Sequence, residues 1–348
     1  MRNRLILSIA VASVALGAAA DAQRDPRERF ERNKPQVVTP QPQKPQSTAM
    51  IQDQGVHNAV HAAHQSQIVF VRKDLGIGAI SEADIVSDFT LGQPMFFRVF
   101  TERSAVNAIT AANGKAASDV YADGVRYIAR FTIDGQVFDT GIFPWGNPSD
   151  HKTWTTWRGQ FVNTIGAQRT PGTDAFMEML SKGTAAGLLK PGKHSIKMEV
   201  IPETSIGNDQ FIKAAVVASG TFNLTVPAGA FQPGNTAICG TGRGATGSAA
   251  LEARALSEAK RISRNPDVTP VRAIGIGESW DIERNEITGI PIERETTVAI
   301  LARGTKYCTA NVHYFYEDYM GGGTFGTSTA SISINPASPR YIPCGCLG

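Results

Sequence analysis

An alternating segment followed by Asp-Gly is the feature that most constrains the fold of this chain. Between residues 126 and 133, apolar residues occupy every second position: Tyr127, Ala129, Phe131 and Ile133. Asp134-Gly135 then separates this run from a second one that contains Val137 and Phe138. Because Asp-Gly accepts the positive φ angles of a tight turn, the segment predicts a β-hairpin with one apolar face. A lone hairpin is barely stable in water, so a second layer must cover that face.

Further β-type runs on both sides of the predicted hairpin supply that second layer. Turn-forming residues bound them, and they span 67–72, 83–90, 94–101, 194–201 and 211–226. The 34 glycines and 19 prolines of the chain suit many turns better than a helical bundle. The pattern predicts an antiparallel β-sandwich over residues 56–228, with a short helix at 173–180 packed on the sheet. Residues 104–124, rich in Ala and Asn, are expected to form a long loop.

The last third of the chain changes character. An amphipathic helix at 248–262 precedes four or five strand-like runs, which predicts a small α+β module over residues 248–348. Residues 229–247 join this module to the sandwich and include Gly240, Gly242, Gly244 and Gly247. Their spacing matches neither a P-loop nor a dinucleotide fingerprint, so we interpret them as a flexible linker. The expected fold class is therefore mainly β with some α.

Residues 1–22 have the features of a cleavable secretory signal peptide. Arg2 and Arg4 precede an apolar core at 5–16, and residues 20–22 form a small-x-small cleavage site. An uncleaved membrane anchor is the alternative, but a bilayer span needs about 20 apolar residues. Residues 23–55 are rich in Pro and Gln, which predicts a mobile tether. The mature protein is expected to be periplasmic or extracellular, without a transmembrane segment.

All four cysteines lie in the last third of the chain: Cys239, Cys308, Cys344 and Cys346. An even number in an exported chain favours disulfides, although four cysteines allow three pairings. A bridge within Cys344-Gly-Cys346 would be strained, which favours Cys308–Cys344 together with Cys239–Cys346. A zinc site is the alternative, but no Cys-x-x-Cys pair supports it.

Three tryptophans fall within thirteen residues and form the first candidate ligand site. It comprises Trp145, Trp154 and Trp157, with Asp150 and His151 as polar partners. Aromatic side chains on sandwich loops can stack on the C–H faces of sugar rings. The alternative is structural, with the indoles buried at one end of the sandwich and their N–H groups bonded to carbonyls.

Three histidines form the second candidate site. On a helix, His57, His61 and His64 fall on one face, where imidazoles can hold a transition metal. No Cys or carboxylate is placed nearby by spacing. The alternative is a short helix, or an extended lead-in, with exposed histidines.

A carboxylate pair is the third candidate. Glu283 and Glu293 could serve glycosidase chemistry, which needs two carboxylates a few ångströms apart. Charges that alternate along an exposed sheet face and form cross-strand pairs explain the same residues without catalysis. The chain contains no Gly-x-Ser-x-Gly and no His-Glu-x-x-His motif.

The net charge and the motifs of the chain limit the classes of function that it can have. A formal net charge of +3 and the lack of a basic patch argue against nucleic-acid binding. No motif implies a cofactor. The sequence therefore predicts a non-catalytic binding or structural protein of the cell envelope or extracellular space, whose partner is a protein or an envelope polymer surface. The alternatives are a glycan-active envelope hydrolase or carbohydrate-binding protein that uses residues 145–157, and a metal-binding protein.

Overall fold

The computed structural model describes residues 50–121, 125–142, 152–161, 172–206, 210–239, 242–326, 331–332 and 340–348. Its strands are β1 (Ile68–Val71), β2 (Asp88–Thr90), β3 (Met95–Phe100), β4 (Arg126–Ile133), β5 (Gln136–Ile142), β6 (Thr156–Phe161), β7 (Gly192–Ser205), β8 (Phe211–Lys213), β9 (Ala218–Val226), β10 (Val268–Gly275), β11 (Asp281–Arg284), β12 (Pro291–Gly304), β13 (Cys308–Gly321), β14 (Thr324–Phe325), β15 (Ser331–Ile332) and β16 (Arg340–Ile342). Its helices are α1 (Ala59–Ala63), α2 (Ala105–Asn113), α3 (Ala117–Tyr121), α4 (Thr173–Ala185), α5 (Thr236–Cys239) and α6 (Ala249–Ile262). The prediction of a mainly β fold with some helix is confirmed.

The predicted hairpin lies in a six-stranded sheet of order β2-β9-β7-β4-β5, with β8 beside β7. Strands β4 and β5 pair antiparallel, and Phe131 lies opposite Phe138. The turn residues Asp134 and Gly135 have φ angles of +48° and +82°, the conformation that Asp-Gly was predicted to supply. One pair departs from the antiparallel prediction, because β2 runs parallel to β9.

A three-stranded antiparallel sheet, β1-β3-β6, contacts the six-stranded sheet through aromatic side chains. The ring centroids of Phe70 and Phe222 are 4.7 Å apart, and those of Trp157 and Tyr127 are 5.0 Å apart. At Gly220 the two backbones approach so closely that a Cβ atom would lie 2.2 Å from the carbonyl oxygen of Ile68. The two sheets therefore share one aromatic core.

The loop expected at 104–124 was a wrong prediction, because this region contains helices α2 and α3. Ser104 caps α2 by accepting a hydrogen bond from the amide of Asn107 at 3.3 Å. The Asn107 side chain also donates to the Ile51 carbonyl at 2.7 Å, and the Ser104 amide donates to Asp53 at 3.0 Å. These bonds hold Ile51 and Asp53, which fall within the predicted tether, on the folded part of the chain.

The C-terminal sheet has the order β10-β12-β13-β14, and α6 covers one of its faces. Ser248 caps α6 by accepting from the amide of Leu251, and Leu251 packs with Val298 and Phe315 of the sheet. Strand β11 pairs with β12, while β15 and β16 pair with β13. The helix and the β runs predicted from the sequence are present here.

The predicted linker is bonded to its neighbours over residues 242–247. The Gly244 amide donates to the Gly275 carbonyl at 2.9 Å, and the Thr246 amide donates to the Gly277 carbonyl at 3.0 Å. These bonds pair the predicted linker with carbonyls at and just after the end of β10. The largest hydrophobic cluster also contains residues from both sides of the linker, among them Leu180 of α4 and Ile342 of β16.

The preferred disulfide pairing is confirmed. Cys239 is bonded to Cys346 and Cys308 to Cys344, and all four cysteines are engaged. Cys239 ends α5, whereas Cys344 and Cys346 lie in a terminal 3₁₀ helix, Cys344–Leu347. The two bridges fasten the chain terminus to β13 and to the segment that follows the six-stranded sheet.

Several predictions lie outside the described residues. They are the signal peptide at 1–22, the tether up to residue 49, and the site residues Trp145, Asp150 and His151. Among the helices that are described, none combines the length and the apolar character needed to cross a membrane.

Candidate functional site

A cavity of about 420 Å³ lies on the outer face of the three-stranded sheet. Strand alternation turns Phe97 toward the shared core, so its neighbours Phe96 and Arg98 face the cavity. Strand β6 contributes Arg158 and Gln160 in the same way. The antiparallel register places Arg98 directly opposite Arg158, and Phe96 opposite Gln160.

Two segments outside the sheet complete the cavity wall. The first follows β1 and brings Asp74 and Ile77 to the cavity; the second precedes α1 and brings Gln54 and His57. The second segment is held in place because the Gln54 amide donates to the Thr153 carbonyl at 2.9 Å. Residues from the start of the described chain therefore reach a site built mainly by the sheet.

Arg98 is the most buried charged residue of the cavity, with 5% of its surface exposed. Its guanidinium donates to the Leu75 carbonyl at 2.8 Å and contacts the Thr156 hydroxyl at 3.5 Å. Burial and, to a smaller extent, the charge of Arg158 lower the pKa of Arg98 to about 10, while the charge of Asp74 opposes the shift. The side chain still carries its positive charge at neutral pH.

Arg158 forms an ion pair with Asp74, whose Oδ1 lies 2.7 Å from Nη1. Both side chains are about half exposed. Asp74 is the one carboxylate among the described residues that line the cavity, against the two guanidinium groups of Arg98 and Arg158. The cavity therefore carries an excess of positive charge.

Two of the predicted tryptophans lie at this cavity. Trp154 is half-buried at its edge, whereas Trp157 is only 4% exposed. The indole of Trp157 packs on Tyr127 and lies edge-on to Phe97 at 5.7 Å. Trp157 thus packs mainly in the core while part of it lines the cavity. Trp154 lines the cavity and also packs in part against the hydrophobic core.

The three histidines lie in different environments. His57 lines the cavity and stacks on His61 at 5.8 Å, while His61 is fully buried and its Nε2 lies 3.3 Å from the Thr101 carbonyl. Burial lowers the pKa of His61. His64 bonds to Glu82 at 2.9 Å, which raises the pKa of His64. Across the described ranges, no group of three His, Cys, Asp or Glu side chains could hold a metal ion.

The third candidate pair does come together, on the C-terminal sheet. Register places Glu283 of β11 opposite Glu293 of β12, and Glu293 opposite Asp318 of β13. The cross-strand neighbours on this open face therefore all carry negative charge. Arg294 lies on the opposite face, under α6, because side chains alternate along β12. Glu283 and Glu293 line one small cavity together with Asp281 and Glu295.

The pKa of Glu293 is raised from its ordinary value of 4.5 by burial, by the hydrogen bond from Glu283, and by the charges of Glu283, Asp318 and Glu295. We therefore expect Glu293→Gln to raise the free energy of unfolding at neutral pH by about 0.2–1 kcal/mol, the usual cost of like charges opposed across strands. The folded state holds this proton more tightly than the unfolded chain does. Wild-type stability should thus fall relative to the variant as pH rises above 4.5.

Urea denaturation at neutral pH and at about pH 4 measures this difference, which should vanish at the lower pH. Glu286→Gln is the matched control, because Glu286 is exposed in the turn of the same hairpin. A variant no more stable than the wild type at neutral pH would contradict the proposed repulsion.

Sequence reasoning missed Asp74, Arg98 and Arg158. No local motif marks them, because the strands that bring them together are far apart in the chain. The available cue was Arg98 itself, which interrupts the apolar run of β3, because a buried charge is costly unless it is paired. Comparison of the chain with protein-family models, with curated proteins and with solved structures gives no match.

Proposed function

We propose that this protein is an exported, non-catalytic binding protein of the cell envelope or extracellular space, and that its cavity holds a saccharide. The observation that carries the proposal is the partly buried indole of Trp154 in the lining of a concave, mainly apolar site that also carries polar side chains. An aromatic face suits the C–H face of a sugar ring, and Gln54, Thr156 and Gln160 offer groups that bond to hydroxyls. The cavity volume lies within the roughly 300–1,000 Å³ of small-molecule sites.

The proposal includes a β-sandwich as the platform for the site. Its support is the aromatic core shared by the three- and six-stranded sheets, with Phe70 and Phe161 on one side and Phe222 on the other. Export is supported by the two disulfides, which persist in oxidising compartments. An envelope polymer built from sugars is then the natural partner.

A binding role fits the cavity better than hydrolysis. The described lining of the cavity holds one carboxylate, Asp74, which is paired with Arg158, whereas glycoside hydrolysis uses two. The close pair Glu283 and Glu293 belongs to the C-terminal sheet, in a separate cavity whose described lining contains no tryptophan. The tryptophans that could stack on a sugar and the paired carboxylates thus line different cavities.

The test is saccharide binding by the wild type and by Trp154→Ala, measured on a glycan array and then by calorimetry. We expect the variant to bind the selected saccharide roughly tenfold or more weakly, since truncating an aromatic anchor costs about 2 kcal/mol. Tyr314→Ala is the control, because Tyr314 is half exposed on the C-terminal sheet, away from the cavity lining. Absence of any saccharide ligand, or equal binding by Trp154→Ala, would refute the proposal.

A further inference from the structure

We propose that the saccharide is acidic, and that Arg98 and Arg158 bind the carboxylate of a uronic acid residue. This inference rests on the proposed function, because it requires a sugar in the cavity. It adds the chemical class of that sugar and the residues that select it.

The first support is the register of the sheet. Like charges directly opposite each other on neighbouring strands destabilise a sheet, yet Arg98 and Arg158 occupy such a position. Only one carboxylate of the described lining, Asp74, stands against these two charges. An anion between the guanidinium groups would remove the repulsion, so binding energy is available at this point of the cavity.

The second support is the burial of Arg98. Buried charges are normally paired, because desolvation of an isolated ion is costly. The contacts of the Arg98 guanidinium are neutral, the Leu75 carbonyl and the Thr156 hydroxyl, and no ion pair is formed with it in the described part of the chain. A guanidinium has five N–H donors, so it can still bind an oxygen anion while it keeps these two contacts.

The third support is the partner that Arg158 already has. A planar carboxylate, that of Asp74, lies 2.7 Å from its Nη1 atom. Guanidinium groups bind carboxylates through short, charge-assisted hydrogen bonds with a preferred planar geometry. The same group on a sugar ring would lie beside Arg98 and Arg158 while the ring contacts Trp154. One cavity would then contact both the ring and the carboxylate of the sugar.

The experiment compares a galacturonic acid trisaccharide with its methyl ester, which keeps the sugar rings and removes the charge. Calorimetry on the exported chain should show the acid binding roughly 10- to 100-fold more tightly, the usual value of hydrogen bonds to a charged group. Raising NaCl from about 0.05 M to about 0.5 M should weaken binding of the acid more than that of the ester.

Three variants separate this idea from a general loss of folding. Arg158→Gln should weaken binding of the acid much more than binding of the uncharged ester. Asp74→Asn should tighten binding of the acid, because it removes the competing carboxylate. A damaged fold would not produce that gain. Arg130→Gln is the matched control, since Arg130 pairs with exposed Asp139 on the six-stranded sheet.

The outcomes are distinguishable. Equal binding of acid and ester would overturn the inference while the proposed saccharide site stands. If neither trisaccharide binds, and no other saccharide binds, both this inference and the proposed function are overturned. Tighter binding of a sulfated sugar than of the uronic acid would overturn the assignment of a carboxylate.

Discussion

Replacing Cys239 and Cys346 together by alanine is expected to lower the free energy of unfolding by about 5 kcal/mol. The two residues are 107 positions apart, and a crosslink that closes so long a loop removes much of the entropy of the unfolded chain. Both sulfurs are fully buried, so the variant also loses packing where the chain terminus meets the core.

The second disulfide provides the matched comparison. Cys308 and Cys344 are 36 positions apart, so their joint replacement by alanine should cost about 4 kcal/mol on the same chain-entropy argument. Urea denaturation of both double variants without reductant measures the two losses. A smaller loss for Cys239 and Cys346 than for Cys308 and Cys344 would contradict loop closure as the dominant contribution.

Glu317→Gln is expected to destabilise the protein by about 3–5 kcal/mol, because it breaks a buried ionic network. Glu317 is fully buried between Arg254 of α6 and Arg294 of β12, and Arg294 Nε lies 2.7 Å from its carboxylate. Without that negative charge, two partly exposed guanidinium groups face each other across a buried side chain. The guanidinium carbon of Arg294 also lies 4.1 Å from the ring centroid of Trp280, so Arg294 cannot turn toward water without losing this contact.

Thermal or urea unfolding of Glu317→Gln measures the loss. The control is Glu258→Gln, because Glu258 pairs with exposed Arg261 on the surface of α6 and its removal should leave stability unchanged within error. Replacing Glu317, Arg254 and Arg294 together by apolar residues should cost less than Glu317→Gln alone. If the single variant unfolds like the wild type, the network does not hold α6 on the sheet.

The features that the sequence predicted correctly depend on residues that are close together in the chain. The turn at Asp134-Gly135 was predicted because its φ angles depend on those two residues. Helix α6 was predicted because its apolar stripe repeats within fourteen residues. The strain of a bridge across a single glycine argued against one of the three cysteine pairings, and the structure chose between the other two.

The missed helix α2 shows where local patterns are insufficient. Its buried face consists largely of small residues, with Val106 and Ile109 as the larger members, so its apolar character is weak. Ser104 was a usable capping cue. What stabilises this helix is tertiary, the bonds from Asn107 to Ile51 and from Ser104 to Asp53.

The sequence by itself determined the alternation of the strands, the tight turns and the helix of the last third, because each depends on residues near one another in the chain. Only the tertiary structure decided which charges meet. Strand register placed Arg98 beside Arg158 and Glu283 beside Glu293, and it buried Glu317 between two arginines. A shift of one residue in any of these strands would send the same side chains to the opposite face.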